Sequence, residues 1–165
     1  MDWKKYLIGK NFRLTLIRIC VLVVFVFVLF KFVFLLVRCE GISMEPNYAN
    51  GTIHVVYRLA YRNIDPVRGD VVCIANEHVK TFTLMKRIIG LPGENVEIRG
   101  GIVYIDGQPL DEPWMKNSKK APWNRESTIL KENQYLVIGD NRNMPMQFHT
   151  FGEVDRKNIV GKVVR

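Results

Sequence analysis

From Ile19 to Val37 the chain is apolar at every position except Cys20 and Lys31, whereas beyond residue 40 the apolar residues come in short runs broken by Gly, Pro, Asn and Asp. Nineteen residues wound as a helix would span about 28 Å, close to the thickness of a bilayer's hydrocarbon core. The run has no polar stripe, which argues against a core helix packed on one face. Lys31 lies toward the C-terminal end, where a long side chain can snorkel to the interface. A cleaved signal peptide is the alternative. It ranks lower because the run exceeds the usual h-region and Leu36-Val37-Arg38-Cys39-Glu40 has no small-x-small cleavage site.

The short runs predict strands over Thr52–Tyr57, Asp70–Ala75, Thr81–Gly90, Asn95–Arg99, Ile102–Ile105, Tyr135–Gly139 and Ile159–Val164, all rich in Val, Ile, Tyr and Thr. Asp106-Gly107 signals a hairpin turn and Pro92-Gly93 another. The polar stretch Glu112–Thr128, with its Pro113-Trp114 and Pro122-Trp123 steps, reads as a long loop. The expected fold class is therefore mainly β: one N-terminal transmembrane helix followed by one β-rich domain. The expected division is a basic N-terminus over 1–18, a membrane span over 19–37 and a folded domain over 40–165.

Charge sharpens that division. Of the formal net charge of +8, residues 1–39 contribute seven Lys/Arg against Asp2, a balance of +6, and the rest of the chain only +2. The basic residues mark the flanks of the anchor rather than a folded basic surface, so no nucleic-acid partner is expected. Five of them precede the apolar run, and the positive-inside rule then places the N-terminus in the cytoplasm and the β-rich domain outside the membrane. Cys20, Cys39 and Cys73 are odd in number and lack Cys-x-x-Cys spacing, which reads as unpaired thiols, with a Cys39–Cys73 bridge as the alternative. His54, His78 and His149 are scattered without metal-ligand spacing, so no metal site is expected.

Two residues carry candidate chemistry. Ser43, in Gly41-Ile42-Ser43-Met44-Glu45-Pro46, lies just past the apolar run, and Lys86, in Lys86-Arg87-Ile88-Ile89-Gly90-Leu91-Pro92-Gly93, is flanked by Leu84, Met85, Ile88 and Ile89. A serine hydroxyl needs a neighbour to take its proton, and a lysine amine serves only if burial lowers its pKa. An apolar setting for Lys86 meets that condition. Strand alternation sends Arg87 to the opposite face, toward a carboxylate or solvent. A third cluster, Gly139-Asp140-Asn141-Arg142, reads as a polar turn in which Asp140 and Arg142 pair locally.

These clusters, with Arg68-Gly69-Asp70-Val71-Val72, occur in an order that resembles the type I signal peptidases, the membrane-anchored Ser/Lys family that includes the mitochondrial inner-membrane peptidases. The resemblance implies a serine endopeptidase of the cell (inner or plasma) membrane that removes signal peptides from exported preproteins. Ser43 would be the nucleophile, Lys86 the general base, and the Ser43 N–H an oxyanion donor. Substrate would be bound by Gly41, Ile42, Met44 and the Phe82, Thr83, Leu84 segment, with Arg87, Asp140 and Arg142 structural near the site. Its partners would be signal-peptide-bearing preproteins and the lipid bilayer, and the resemblance implies no organic cofactor. Two positions depart from the family pattern. Gly41 stands where many bacterial members carry a serine that assists the oxyanion hole; the mitochondrial enzymes also place glycine there. Phe148 stands where a lysine-orienting serine is expected, and it cannot hydrogen-bond an amine; only a shifted loop would bring Thr150 or His149 into that role. A non-catalytic or specialised peptide-binding subunit of the same fold is the first alternative, and a self-cleaving Ser/Lys protease the second.

Overall fold

The computed structural model describes residues 11–75, 83–115, 121–149 and 152–164, without the side chains of Thr83, Phe148 and His149. The chain divides into two units, Met1–Leu35 and Leu36–Arg165. In the first, helix α1 (Phe12–Val28) continues into a π-helical turn over Leu29–Val33, and the helical stretch Phe12–Val33 is long and apolar enough to cross a membrane. A helix suits that task because it satisfies its backbone hydrogen bonds internally. Its bounds differ from the Ile19–Val37 span read from hydropathy. Arg13 and Arg18 favour helix, so it begins earlier. At Phe34 the backbone turns extended (φ −119°, ψ 148°), and Phe34–Arg38 form strand β1 beside β2 (Ile53–Tyr57).

The second unit is built from two sheets. The larger adds β3 (Val71–Ala75), β4 (Thr83–Gly90), β9 (Gln134–Ile138), β10 (Glu153–Asp155) and β11 (Ile159–Val164) in the order β1-β2-β11-β3-β4-β9-β10. The smaller has the order β7-β6-β5-β8, from β5 (Asn95–Arg99), β6 (Ile102–Ile105), β7 (Gln108–Pro109) and β8 (Arg125–Ile129). Neighbours from β2 to β10, and all those of the smaller sheet, pair antiparallel. All seven strands read from the sequence are present, with ends within two residues of those expected.

Strands β4 and β9 are buried on both faces. Ile88 and Val137 join one apolar cluster with Val72, Ile74 and Ile159, while Ile89, Leu136 and Ile138 join a second with Val96, Val103 and Trp123. Residues alternating along one strand thus feed different cores, which explains why these strands are almost continuously apolar. The β6–β7 turn is Asp106-Gly107, both at positive φ (49° and 79°), as a two-residue hairpin of this twist requires.

Three elements depart from the sequence reading. The stretch expected as one long loop contains a 3₁₀ turn at Pro113–Met115 and strand β8, an edge strand whose Arg-Glu-Ser-Thr composition shows no alternation of apolar residues. Strand β7 has two residues and β10 three, too short to carry a pattern. Cys39 and Cys73 are both buried as free thiols, so the bridge is not formed.

Candidate active site

The serine lies in a loop closed at its base by two backbone bonds, Cys39 N–H to Thr52 O (2.8 Å) and Gly51 N–H to Cys39 O (2.7 Å). Gly41 enters the loop at φ +92° and its N–H donates to Asn50 Oδ1 at 3.0 Å. A turn follows, with Glu45 N–H donating to Ile42 O at 3.2 Å and Tyr48 N–H to Met44 O at 3.0 Å. Ile42 is exposed. Met44 is only 1% exposed.

Lys86 stands on β4 opposite Val72 and two residues before Ile88, both fully buried, and is itself 3% exposed. Its Nζ lies 2.7 Å from Ser43 Oγ, across forty-three residues of sequence. Burial out of water lowers its pKa from 10.5 to about 8, with the charges of Cys39 and Asp140 opposing. Cys39 is itself pushed up by burial, so near neutral pH it keeps its proton and opposes little. The arrangement places a lysine that gives up its proton near pH 8 in direct contact with a hydroxyl.

Arg87 points the other way and is buried too. Its Nε donates to Asp140 Oδ1 at 2.7 Å, its Nη2 to Asp140 Oδ2, and its Nη1 to Gly69 O at 2.7 Å, while the guanidinium lies 4.9 Å from the Trp114 ring centroid. Asn47 Nδ2 donates to the same carboxylate at 2.8 Å and to Trp114 O at 3.1 Å. The local Asp140–Arg142 pairing expected from the sequence is therefore absent: Arg142 pairs with buried Glu112, and its Nε donates to Gly139 O at 3.2 Å. Asp140 and Arg142 thus each pair with a residue of a distant segment, which leaves neither charge buried without a partner.

Asn141, between these two anchored residues, reaches the serine loop. Its N–H donates to Ser43 O at 2.9 Å and its Nδ2 to Ile42 O at 3.0 Å. Neither Asn47 nor Asn141 was assigned a role from sequence, because an asparagine in a turn carries no mark of the carbonyl it will meet. On the other side of the site, Leu84 is half-buried opposite Ile74 and Thr83 opens β4; Phe82 lies outside the described residues. Met146–His149 form a 3₁₀ turn, but the side chains of Phe148 and His149, and all of Thr150, also lie outside them.

Residues 12–165 match the family model for signal peptidase, peptidase S26. A signal peptidase I of Leptolyngbya laminosa is 36% identical over 129 residues, covering 74% of this chain, and the matched region spans 63% of that relative's length. Signal peptidase IB of Staphylococcus aureus is 31% identical over 165 residues, covering 90% of this chain and 85% of the relative. A crystal structure of a signal peptidase I from Enterococcus faecalis superposes with a TM-score of 0.48 at 28% identity, over 61% of this chain and 97% of that one. With a family match running from the apolar helix to the C-terminus, the chain belongs to the signal peptidase family, peptidase S26, whose members are serine endopeptidases that remove signal peptides.

Proposed function

We propose that this chain is a membrane-anchored serine endopeptidase that removes signal peptides from exported preproteins, with Ser43 as nucleophile and Lys86 as general base. The observation that carries the reading is the 2.7 Å contact between Ser43 Oγ and a lysine held out of water. As Ser43 Oγ attacks the scissile carbonyl, neutral Lys86 Nζ takes the hydroxyl proton. The Ser43 N–H, which has no acceptor among the described residues, donates to the developing oxyanion. The lysine then returns its proton to the leaving amine, takes one from the water that attacks the acyl ester, and passes it to Ser43 Oγ as the acid product leaves. The substrate runs as an extended strand past Gly41–Ile42 and the Phe82–Leu84 segment, where small side chains before the cut fit. Helix Phe12–Val33 crosses the membrane once, with the basic N-terminus cytoplasmic and the β-rich unit outside.

The test is cleavage of a model preprotein in detergent by the full chain, by Ser43→Ala and by Lys86→Ala, with the product N-terminus read by mass spectrometry. A cut after a small-x-small site that vanishes in both variants is the expected result. A folded wild type that binds a signal peptide without cutting it would replace the protease by the binding-subunit reading.

A further inference from the structure

We infer that Asn141 is a positioning residue that aims the Ser43 N–H at the oxyanion; this deepens the protease reading and rests on it. The Ile42 carbonyl and the Ser43 N–H belong to one planar, trans peptide unit and point in opposite directions, so whatever fixes the carbonyl fixes the N–H. Asn141 Nδ2 holds that carbonyl at 3.0 Å, and Asn141 N–H holds the Ser43 carbonyl at 2.9 Å. One residue therefore grips the peptide units on both sides of the nucleophile. The Ile42 carbonyl also accepts the Glu45 N–H at 3.2 Å, but that bond is internal to the loop and moves with it.

Asn141 can act as a fixed point because its neighbours are fixed. Asp140 is held by Arg87 and Asn47, and Arg142 by Glu112; both are 1% exposed. The loop it grips needs such a hold. It begins at Gly41, where the lack of a side chain widens the accessible backbone range, and the Gly41 N–H bond to Asn50 holds that residue but not the Ile42–Ser43 peptide unit. Gly41 also offers no hydroxyl to the oxyanion, so the orientation of the single Ser43 N–H matters more.

The test compares Asn141→Ala and Asn141→Asp with wild type, as full chains in detergent; aspartate keeps the shape but has no amide donor. Both variants are expected to lower kcat roughly 10- to 100-fold, less than deleting an oxyanion donor outright, with KM held within about twofold. In Asn141→Ala the midpoint of the rate–pH profile stays where wild type has it, because the base is untouched. With ¹⁵N-serine labelling, the Ser43 amide resonance shifts in both variants. A kcat within about twofold of wild type, or a loss confined to KM, overturns the inference. So does an unmoved Ser43 resonance in a folded variant. The resonance needs no turnover, so it reports on the grip even if wild type fails to cleave, an outcome that would sink the protease reading and the oxyanion role with it.

Discussion

Arg87 holds Asp140 through both Nε and Nη2, and Asp140 immediately precedes the residue that bonds the Ser43 backbone. The base and this ion pair are neighbours in sequence, Lys86 on one face of β4 and Arg87 on the other. A single strand thus sets the amine and, through Asp140, the mount of the serine loop.

Removing one partner of this pair leaves an uncompensated buried charge, and the Trp114 ring beside Arg87 cannot replace the carboxylate. Asp140→Asn is near-isosteric, so the loss is electrostatic. It is expected to cost about 3–5 kcal/mol of unfolding free energy. Denaturant unfolding of the full chain in detergent measures it; a cost below about 1 kcal/mol would mean the guanidinium finds water or another partner.

Activity should follow the lysine's deprotonation. With the Lys86 pKa lowered to about 8, kcat/KM is expected to rise tenfold per pH unit below that value and level off above it, standing roughly 100-fold under the plateau near pH 6. A profile flat across that interval would remove Lys86 as the base.

The same shift has a consequence for stability. The folded-state pKa is depressed, so the native protein releases this proton before the unfolded chain does, and stability rises with pH between about 8 and 10.5. Below that window the buried ammonium carries its full penalty, on the order of 3 kcal/mol for a shift of this size. Lys86→Met fills similar space without the charge. It is expected to be more stable than wild type at neutral pH, by about 1–3 kcal/mol after the lost Ser43 contact is allowed for, with the advantage shrinking between about pH 8 and 10.5. Paired unfolding curves at two pH values decide it, and a variant less stable than wild type at neutral pH contradicts the burial argument.

How much of this was legible in the sequence depended on whether the cause was local. Strands β3, β4, β9 and β11 announce themselves because burial requires runs of Val and Ile. Lys86 stood out for the same reason, as a charge inside such a run. What Arg142 would pair with was not legible, since Glu112 lies thirty residues away and any carboxylate would have served. Strand β8 was missed because an edge strand with polar residues on both faces looks like a loop. The helix ended four residues early because β1, adjacent to β2 in the sheet, claims Phe34–Val37, and hydropathy cannot see a sheet edge. Met44 is buried beside the exposed Ile42, and a neighbour in sequence gives no sign of which side chain the turn through Glu45 and Tyr48 will take out of solvent.

Gly41 raises a final question: whether a serine there would improve the site. The family pattern that the sequence resembles has a serine at this position in many bacterial members, but here the backbone stands at φ +92°, where a Cβ is costly whatever the free space. No heavy atom lies within 4 Å of the position a Cβ would take, so the cost is conformational rather than a clash. Gly41→Ala and Gly41→Ser should therefore lose similar stability, about 1–2 kcal/mol each. Neither should raise kcat, because relieving the strain of a Cβ at this φ would move the backbone from the conformation in which Asn50 holds the Gly41 N–H. Parallel unfolding and cleavage assays check both halves. A Gly41→Ser variant that cleaves faster than wild type would show that the loop adopts a second conformation at little cost, and that glycine here is a choice of substrate range or rate rather than of backbone geometry.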